Sequence, residues 1–317
     1  MIGAEHDVRL VVRVVARRRL HYRAGADAVL DRPRHVRSAS GLARWGERLA
    51  VVSDDANFIG VIDVATGDCE AITLPIGDGD RRQFDSGRGN KASKLDLESL
   101  FADGDRLIAL GSDSGLAVRR HAIVVDGGGA RAIAIPRLYA ALHRPELGRG
   151  ALNLEGAAVQ GDELILGNRG GDVGDDGAPM RDALCRLPLA AVRALLADPD
   201  RAPVPEVRWQ VLDLGAIGGV ALRLTELETR GDALYYAATA EATTTAYDDG
   251  AVSGSALGVI AGGVARWARV HDEAGAPLLA KLEGLVADGA GFLASVDADD
   301  PAAASELLTL AVAGPWP

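Results

Sequence analysis

Apolar residues in this chain fall in short blocks that alternate with turn residues, without the spacing of a long amphipathic helix. Between 49 and 74, Leu49-Ala50-Val51-Val52-Ser53 and Phe58-Ile59-Gly60-Val61-Ile62-Asp63-Val64 flank Asp54-Asp55-Ala56-Asn57. Ala65-Thr66-Gly67-Asp68 then precedes Cys69-Glu70-Ala71-Ile72-Thr73-Leu74. Such blocks, bounded by Gly, Asp and Asn, predict strands joined by tight turns. The same layout returns at Arg106 to Leu110, Leu116 to Val125 and Ala130 to Ile135.

A short phrase opens each round of strands: Ser38-Ala39-Ser40-Gly41-Leu42, Asp96-Leu97-Glu98-Ser99-Leu100, Asn153-Leu154-Glu155-Gly156-Ala157, Arg223-Leu224-Thr225-Glu226-Leu227 and Lys281-Leu282-Glu283-Gly284-Leu285. The aligned positions Ser40, Glu98, Glu155, Thr225 and Glu283 lie 58, 57, 70 and 58 residues apart. A fixed period of this size with a hairpin inside predicts a β-propeller, one copy per blade. The expected fold is therefore all-β, a single propeller domain over 1–317 with five blades. Six stay open if residues 17–37 or 241–257 hide a further blade.

The longer third step is explained by an insertion. Pro188 to Leu196 has helical apolar spacing and ends at Asp198-Pro199-Asp200, which predicts a short helix near 188–197. A second short helix is expected over Arg137 to His143. The fifth copy lacks an outer strand, and Asp7 to Val15 is the segment expected to supply it, closing the ring with strands from both termini. Long loops are expected at Asp78 to Asn90, Gly170 to Gly177 (with Asp172 and Asp175) and Glu241 to Ser255 (with Thr243-Thr244-Thr245).

The chemistry is expected where the first strands line the channel. Side chains alternate along a strand, so Ser38 and Ser40, Asp96 and Glu98, Asn153 and Glu155, Arg223 and Thr225, and Lys281 and Glu283 share a polar face. Antiparallel second strands return Asp54, Asp55, Ser112, Asp113, Asn168, Arg169, Thr239, Glu241, Asp297 and Asp299 to the same rim, with Lys91 and Lys94 nearby. Carboxylates so crowded repel unless a proton or cation intervenes. An all-oxygen ligand set favours Ca²⁺, with Glu98, Glu155 and Glu283 as its ligands. Asp96 or Asp297 would then be the general base, and Arg223, Lys281 and Arg169 would receive an anionic group. Glu–Arg and Glu–Lys pairs with water would instead make an inert channel wall.

Composition narrows the choices. A formal charge of −11 argues against nucleic acid, which demands a basic face. Cys69 and Cys185 fall in different copies and read as reduced core thiols. Arg13 and Arg17-Arg18-Arg19 break the N-terminal apolar run, and no stretch is long enough to span a membrane, so a cytoplasmic protein is expected. His35 and His121 read as surface or satisfied residues.

Leu95 to Leu100, Leu152 to Gly156 and Lys281 to Leu285 resemble the Leu-Glu-Gly/Ser phrases of uncharacterised bacterial propellers in the phytase-like, esterase-like group. The likeness spans residues 36 to 313 and implies a bacterial propeller, a hydrolase in some members and of unknown function in many, with phytase activity itself not expected. Glu98, Glu155 and Glu283 match the recurrent Glu, and Ser40 and Thr225 depart from it. The expected activity is cation-assisted hydrolysis of a small anionic ester at the channel mouth. The alternative is a non-catalytic propeller that binds a ligand or protein.

Overall fold

Strand pairing follows the sequence repeat. The computed structural model describes residues 1–174, 176–242 and 250–317, and the chain is an all-β propeller. Unit 1 is Ala39–Trp45, Arg48–Ser53, Phe58–Ile62 and Asp68–Thr73. Unit 2 is Leu97–Asp103, Arg106–Gly111, His121–Asp126 and Gly129–Ala134. Unit 3 is Leu154–Gln160, Glu163–Asn168, Ala183–Pro188 and Arg208–Asp213. Unit 4 is Val220–Arg230, Ala233–Ala242, Ala251–Ala261 and Val264–His271.

Unit 5 takes Lys281–Asp288, Gly291–Asp297 and Glu306–Ala313 from late in the chain. Its outermost strand is Val11–Arg19, antiparallel to Glu306–Ala313 in a ladder from Val11–Ala313 to Arg19–Glu306. Strands from both ends of the sequence thus close the ring, as the missing fifth-copy strand predicts. Ile2–His6 lies parallel to the outer strands of both unit 3 and unit 4 and fastens one to the other. The five inner strands touch in the order of units 1, 2, 3, 4, 5 and back to 1.

One apolar cluster fills each gap between neighbouring units. Leu49 and Val51 pack toward unit 5, whereas Ala50 and Val52 pack toward unit 2. Both faces of the second strand are buried, which is why its sequence reads as a continuous apolar run. Cys69 and Cys185 are free thiols inside two of these clusters.

The inserted helix spans Leu189–Ala197, with Pro188 at its cap, and lays Leu189, Val192, Leu195 and Leu196 on the cluster between units 2 and 3. The second helix is Pro136–Leu142. Residues 17–37 add no further unit: 17–19 end the closing strand, and His21–Tyr22 pairs with the edge of unit 1. Of the loop expected over Glu241 to Ser255 both ends are strand, since flanking strands run to Ala242 and start again at Ala251. Thr243-Thr244-Thr245 and Asp175 lie outside the described residues. Among the described residues no helix is long and apolar enough to cross a membrane.

Candidate functional site at the axial mouth

Ladder pairing slips once in every inner strand, always at the repeated polar position. The slips fall between Ala39 and Leu42, Leu97 and Ser99, Leu154 and Gly156, Leu224 and Glu226, and Leu282 and Gly284. Glu98, Glu155, Thr225 and Glu283 are therefore the extra residues of β-bulges. A bulge bends its strand and re-aims the side chain it carries, which here turns three glutamates toward the axis. Gly or Ser follows in four units for a steric reason. A Cβ on Gly41 would lie 2.7 Å from the Leu100 nitrogen, and one on Gly284 would lie 2.6 Å from the Ser40 carbonyl oxygen. Inner strands approach too closely there for most side chains.

Unit 4 breaks the pattern with Glu226, fully buried at 0% exposure. Its Oε1 accepts from the backbone N–H of Leu227 (2.9 Å) and Ala157 (3.2 Å), and its Oε2 accepts from that of Leu42 (3.3 Å). Inner strands are sheet edges, so their axis-facing N–H groups need partners. One carboxyl serves units 1, 3 and 4 together. Burial pushes its pKa well above the ordinary range, against the pull of those three donors.

Above this plug the mouth encloses a cavity of about 290 Å³. A chain of polar contacts runs round one side. Lys94 Nζ sits 2.5 Å from Asp54 Oδ2 and 2.5 Å from Asp96 Oδ1. Asp96 Oδ2 accepts from Arg119 at 2.7 Å and from the Ser112 hydroxyl. Ser112 Oγ meets Ser114 Oγ at 2.7 Å, Ser114 donates to Asn153 (2.9 Å), and Asn153 Nδ2 donates to Glu155 (2.6 Å). Arg169 then links Glu155 (3.3 Å) to Glu241 of unit 4. Across the mouth, Lys281 lies 3.2 Å from Glu283 and 3.6 Å from Asp299. The segment 84–91 folds over the rim, tied by Arg37 to Asp55 (2.6 Å) and Asp85 (3.0 Å).

Among the described residues nine carboxyls line the mouth against five basic side chains, and burial together with this imbalance shows in their proton affinities. Burial, reinforced by Asp54 and Asp96, pushes Glu98 well up. Burial, reinforced by Asp54, does the same to Asp297. Burial raises Glu155 to about 7 although Arg169 opposes it. It raises Glu283 to about 8 against Lys281, with Glu155 adding to the rise. Glu283 Oε2 is buried without a hydrogen-bond partner. Asp96 goes the other way: Lys94 and Arg119 outweigh its burial and hold it below the usual carboxylate range.

The structure brings Glu98, Glu155, Glu283, Asp96, Asp297, Arg169 and Lys281 to one cavity. Arg223 is not among them. Its side chain donates instead to Asp182 at 2.9 Å. Asp96 is in the mouth but saturated by two cations and a hydroxyl, so it is no base for neutral pH. The trio Glu98, Glu155 and Glu283 is split by pairing of Glu155 with Arg169 and Glu283 with Lys281. Among the described residues it is Asp54, Asp96 and Glu98 that bring one oxygen each within 4.8 Å of one another, a cluster that could hold a metal ion. Lys94 already places its ammonium between two of the three. Sequence reasoning gave no role to Arg119, Ser114 or Glu226. Glu226 carried a signal, being a carboxylate where the other copies have Gly or Ser.

No relative was found among curated proteins by sequence. The fold is similar to that in the crystal structure of Myxococcus xanthus glutaminyl cyclase, at 11% identity and a TM-score of 0.50, over 98% of this chain and 99% of that one. It is also similar, at 13% identity and a TM-score of 0.34, to YCF48 bound to D1 peptide, over 98% of this chain and 73% of that one. By sequence, a family model matches residues 35–312, and the chain belongs to that family, the family of unknown function DUF6929.

Proposed function

We propose that the five units are the blades of a five-bladed propeller whose axial mouth binds a small, positively charged organic ligand such as an amine. One observation carries this: among the described residues of the mouth carboxyls outnumber basic groups nine to five, and Lys94, Arg119, Arg169 and Lys281 are each already held by a carboxylate. A buried oxygen of Glu283 is left without a donor. An ammonium group would supply donors and offset the burial, reinforced by neighbouring carboxylates, that drives Glu98, Glu283 and Asp297 to hold protons. An anionic ester would add to the negative excess, and the cations expected to receive it are absent (Arg223) or consumed (Arg169, Lys281).

The same carboxyls give the mouth its chemistry. A base with a pKa near the working pH exchanges protons most effectively, and Glu283 at about 8 is such a group. Asp297, raised in the same direction, is the companion acid or base. Amine reactions are the ones to assay, including cyclisation of a glutaminyl substrate. The test is a thermal-shift and calorimetric panel of amines, carboxylates and phosphate esters at pH 7.5. Amines are expected to stabilise the protein saturably, and Glu283→Gln to weaken that binding about tenfold. Stabilisation by anions alone would overturn this reading. Binding without turnover would leave a non-catalytic propeller.

A second reading, Ca²⁺-assisted hydrolysis, draws on the Asp54, Asp96 and Glu98 cluster and on the likeness to phytase-like propellers. Bound there, Ca²⁺ would act as a Lewis acid and lower the pKa of a water. The fit is poor while Lys94 holds Asp54 and Asp96. Chelator and added Ca²⁺ are thus expected to leave the melting temperature of the parent unchanged, whereas Lys94→Met gains a Ca²⁺-dependent rise. A chelator-sensitive parent with stoichiometric metal would favour the hydrolase reading instead.

A further inference from the structure

A second cavity, of about 590 Å³, opens on the outside of the ring beside unit 5 and carries the opposite charge. Its sequence origin is the run from Arg19 to Arg23. Leu20 and Tyr22 are buried there, which turns Arg19 and His21 outward by strand alternation. Tyr22 N donates to the Arg34 carbonyl and Val36 N to the Leu20 carbonyl, both at 3.0 Å. This zip sets His21 opposite His35, ring centroids 6.5 Å apart, with Arg34 alongside.

The facing wall is the loop 298–304, where alanines present almost no bulk. That loop divides two environments: Asp297, Asp299 and Pro301 line the acidic mouth, and Ala298 and Ala302 line the groove. Among the described residues lining the groove the acid is Glu306, which is engaged by Arg17 at 3.2 Å and lies 4.0 Å from Arg19, while Asp300 of the facing loop acts on His35. Arg34 makes no ion pair among the described residues. In a chain of net charge −11, two guanidinium groups and two imidazoles around one cavity are a concentration that composition does not explain.

We propose that this groove binds the phosphoryl group of a small phosphate monoester. Two guanidinium forks and two imidazole rings offer more donors than the two oxygens of a carboxylate can use. The terminal oxygens and double charge of a phosphate monoester match them. The volume exceeds that of a bare phosphate, and the alanine wall gives the ester's carbon portion an apolar surface. His35 is pushed down by burial, by His21 and by Arg37, against Asp300 and its hydrogen bond to the Pro301 carbonyl (3.2 Å). A bound dianion reverses that direction.

The test titrates glycerol 3-phosphate, and inorganic phosphate in parallel, into the full chain at ionic strength matched with NaCl. Calorimetry and imidazole NMR follow the binding. Saturable shifts of the His21 and His35 signals are expected, with a higher His35 pKa in the complex. The double variant Arg19→Ala/Arg34→Ala, changed only at exposed side chains, should keep its melting temperature and lose about tenfold or more in affinity. Shifts no larger than those from NaCl, or undiminished binding by the double variant, would overturn the site. Inorganic phosphate binding as tightly as the ester would overturn the assignment to a monoester. None of these groove residues lines the axial mouth, so this result and the amine test fail independently.

Discussion

Individual carboxyls at the mouth have opposite fates, and pH separates them. Glu283 ordinarily titrates near 4.5 but holds its proton to about 8 in the folded chain. Between those values the folded state binds more protons than the unfolded one, so its contribution to stability falls as pH rises and is gone above about 8. Glu155 acts in the same sense up to about 7. Glu283→Gln is therefore expected to raise the melting temperature at pH 9 by about 2 °C or more, and to change it little at pH 4.5. A melting curve at each pH checks this, and a loss of stability at pH 9 would contradict it. The sequence shows most of the residues that meet, because Leu (Ala39 in the first copy) alternates with polar residues in each copy, Arg223 being the exception. Their charge states are not legible there. Asp96 is ionised by Lys94, which the sequence sets just before the phrase, and by Arg119, which comes from a turn that no spacing rule brings in.

Bulges and close-approaching glycines govern the elements. Strict alternation predicts that Arg223 and Thr225 share the channel face, as Lys281 and Glu283 do. The same bulge follows Arg223 and Lys281, so the slip is not what separates them. What differs is the partner: Asp182 engages Arg223, whereas Lys281 stays beside Glu283 in the mouth. No residue type in the phrase announces the slip, although the Gly after Glu is its companion. Gly284→Ala would bring a Cβ within 2.2 Å of Ser295 Oγ and 2.6 Å of Leu42 Cβ. The expected loss is about 1–3 kcal/mol in denaturant unfolding. Glu226→Ala should cost more, about 3 kcal/mol or above, because it orphans N–H groups in three strands at once. An unfolding midpoint equal to the parent's would remove Glu226 from its role as the axial plug.

At the scale of the whole molecule, the ring depends on a strand borrowed from the opposite end of the sequence. Val12 and Val14, both at 0% exposure, sit in the cluster between units 4 and 5. Val14→Asp would bury an unpaired charge at the seam, costing several kcal/mol, and should make thermal unfolding less cooperative; circular dichroism would record it. Repeat length and the strandless fifth copy made this closure readable in the sequence. The parallel tie of Ile2–His6 to units 3 and 4 was not readable, because a short mixed run carries no mark of its partners.

That borrowed strand imposes an order on synthesis. Val11–Arg19 leaves the ribosome nearly three hundred residues before the strand it pairs with, Glu306–Ala313. For that interval a stretch rich in valine and arginine has no finished edge to join. Four units can assemble while it waits, and the circle locks only when the fifth arrives. The nascent chain is most exposed to aggregation in this long open state, which makes the seam the place where ribosome-associated holding factors would act.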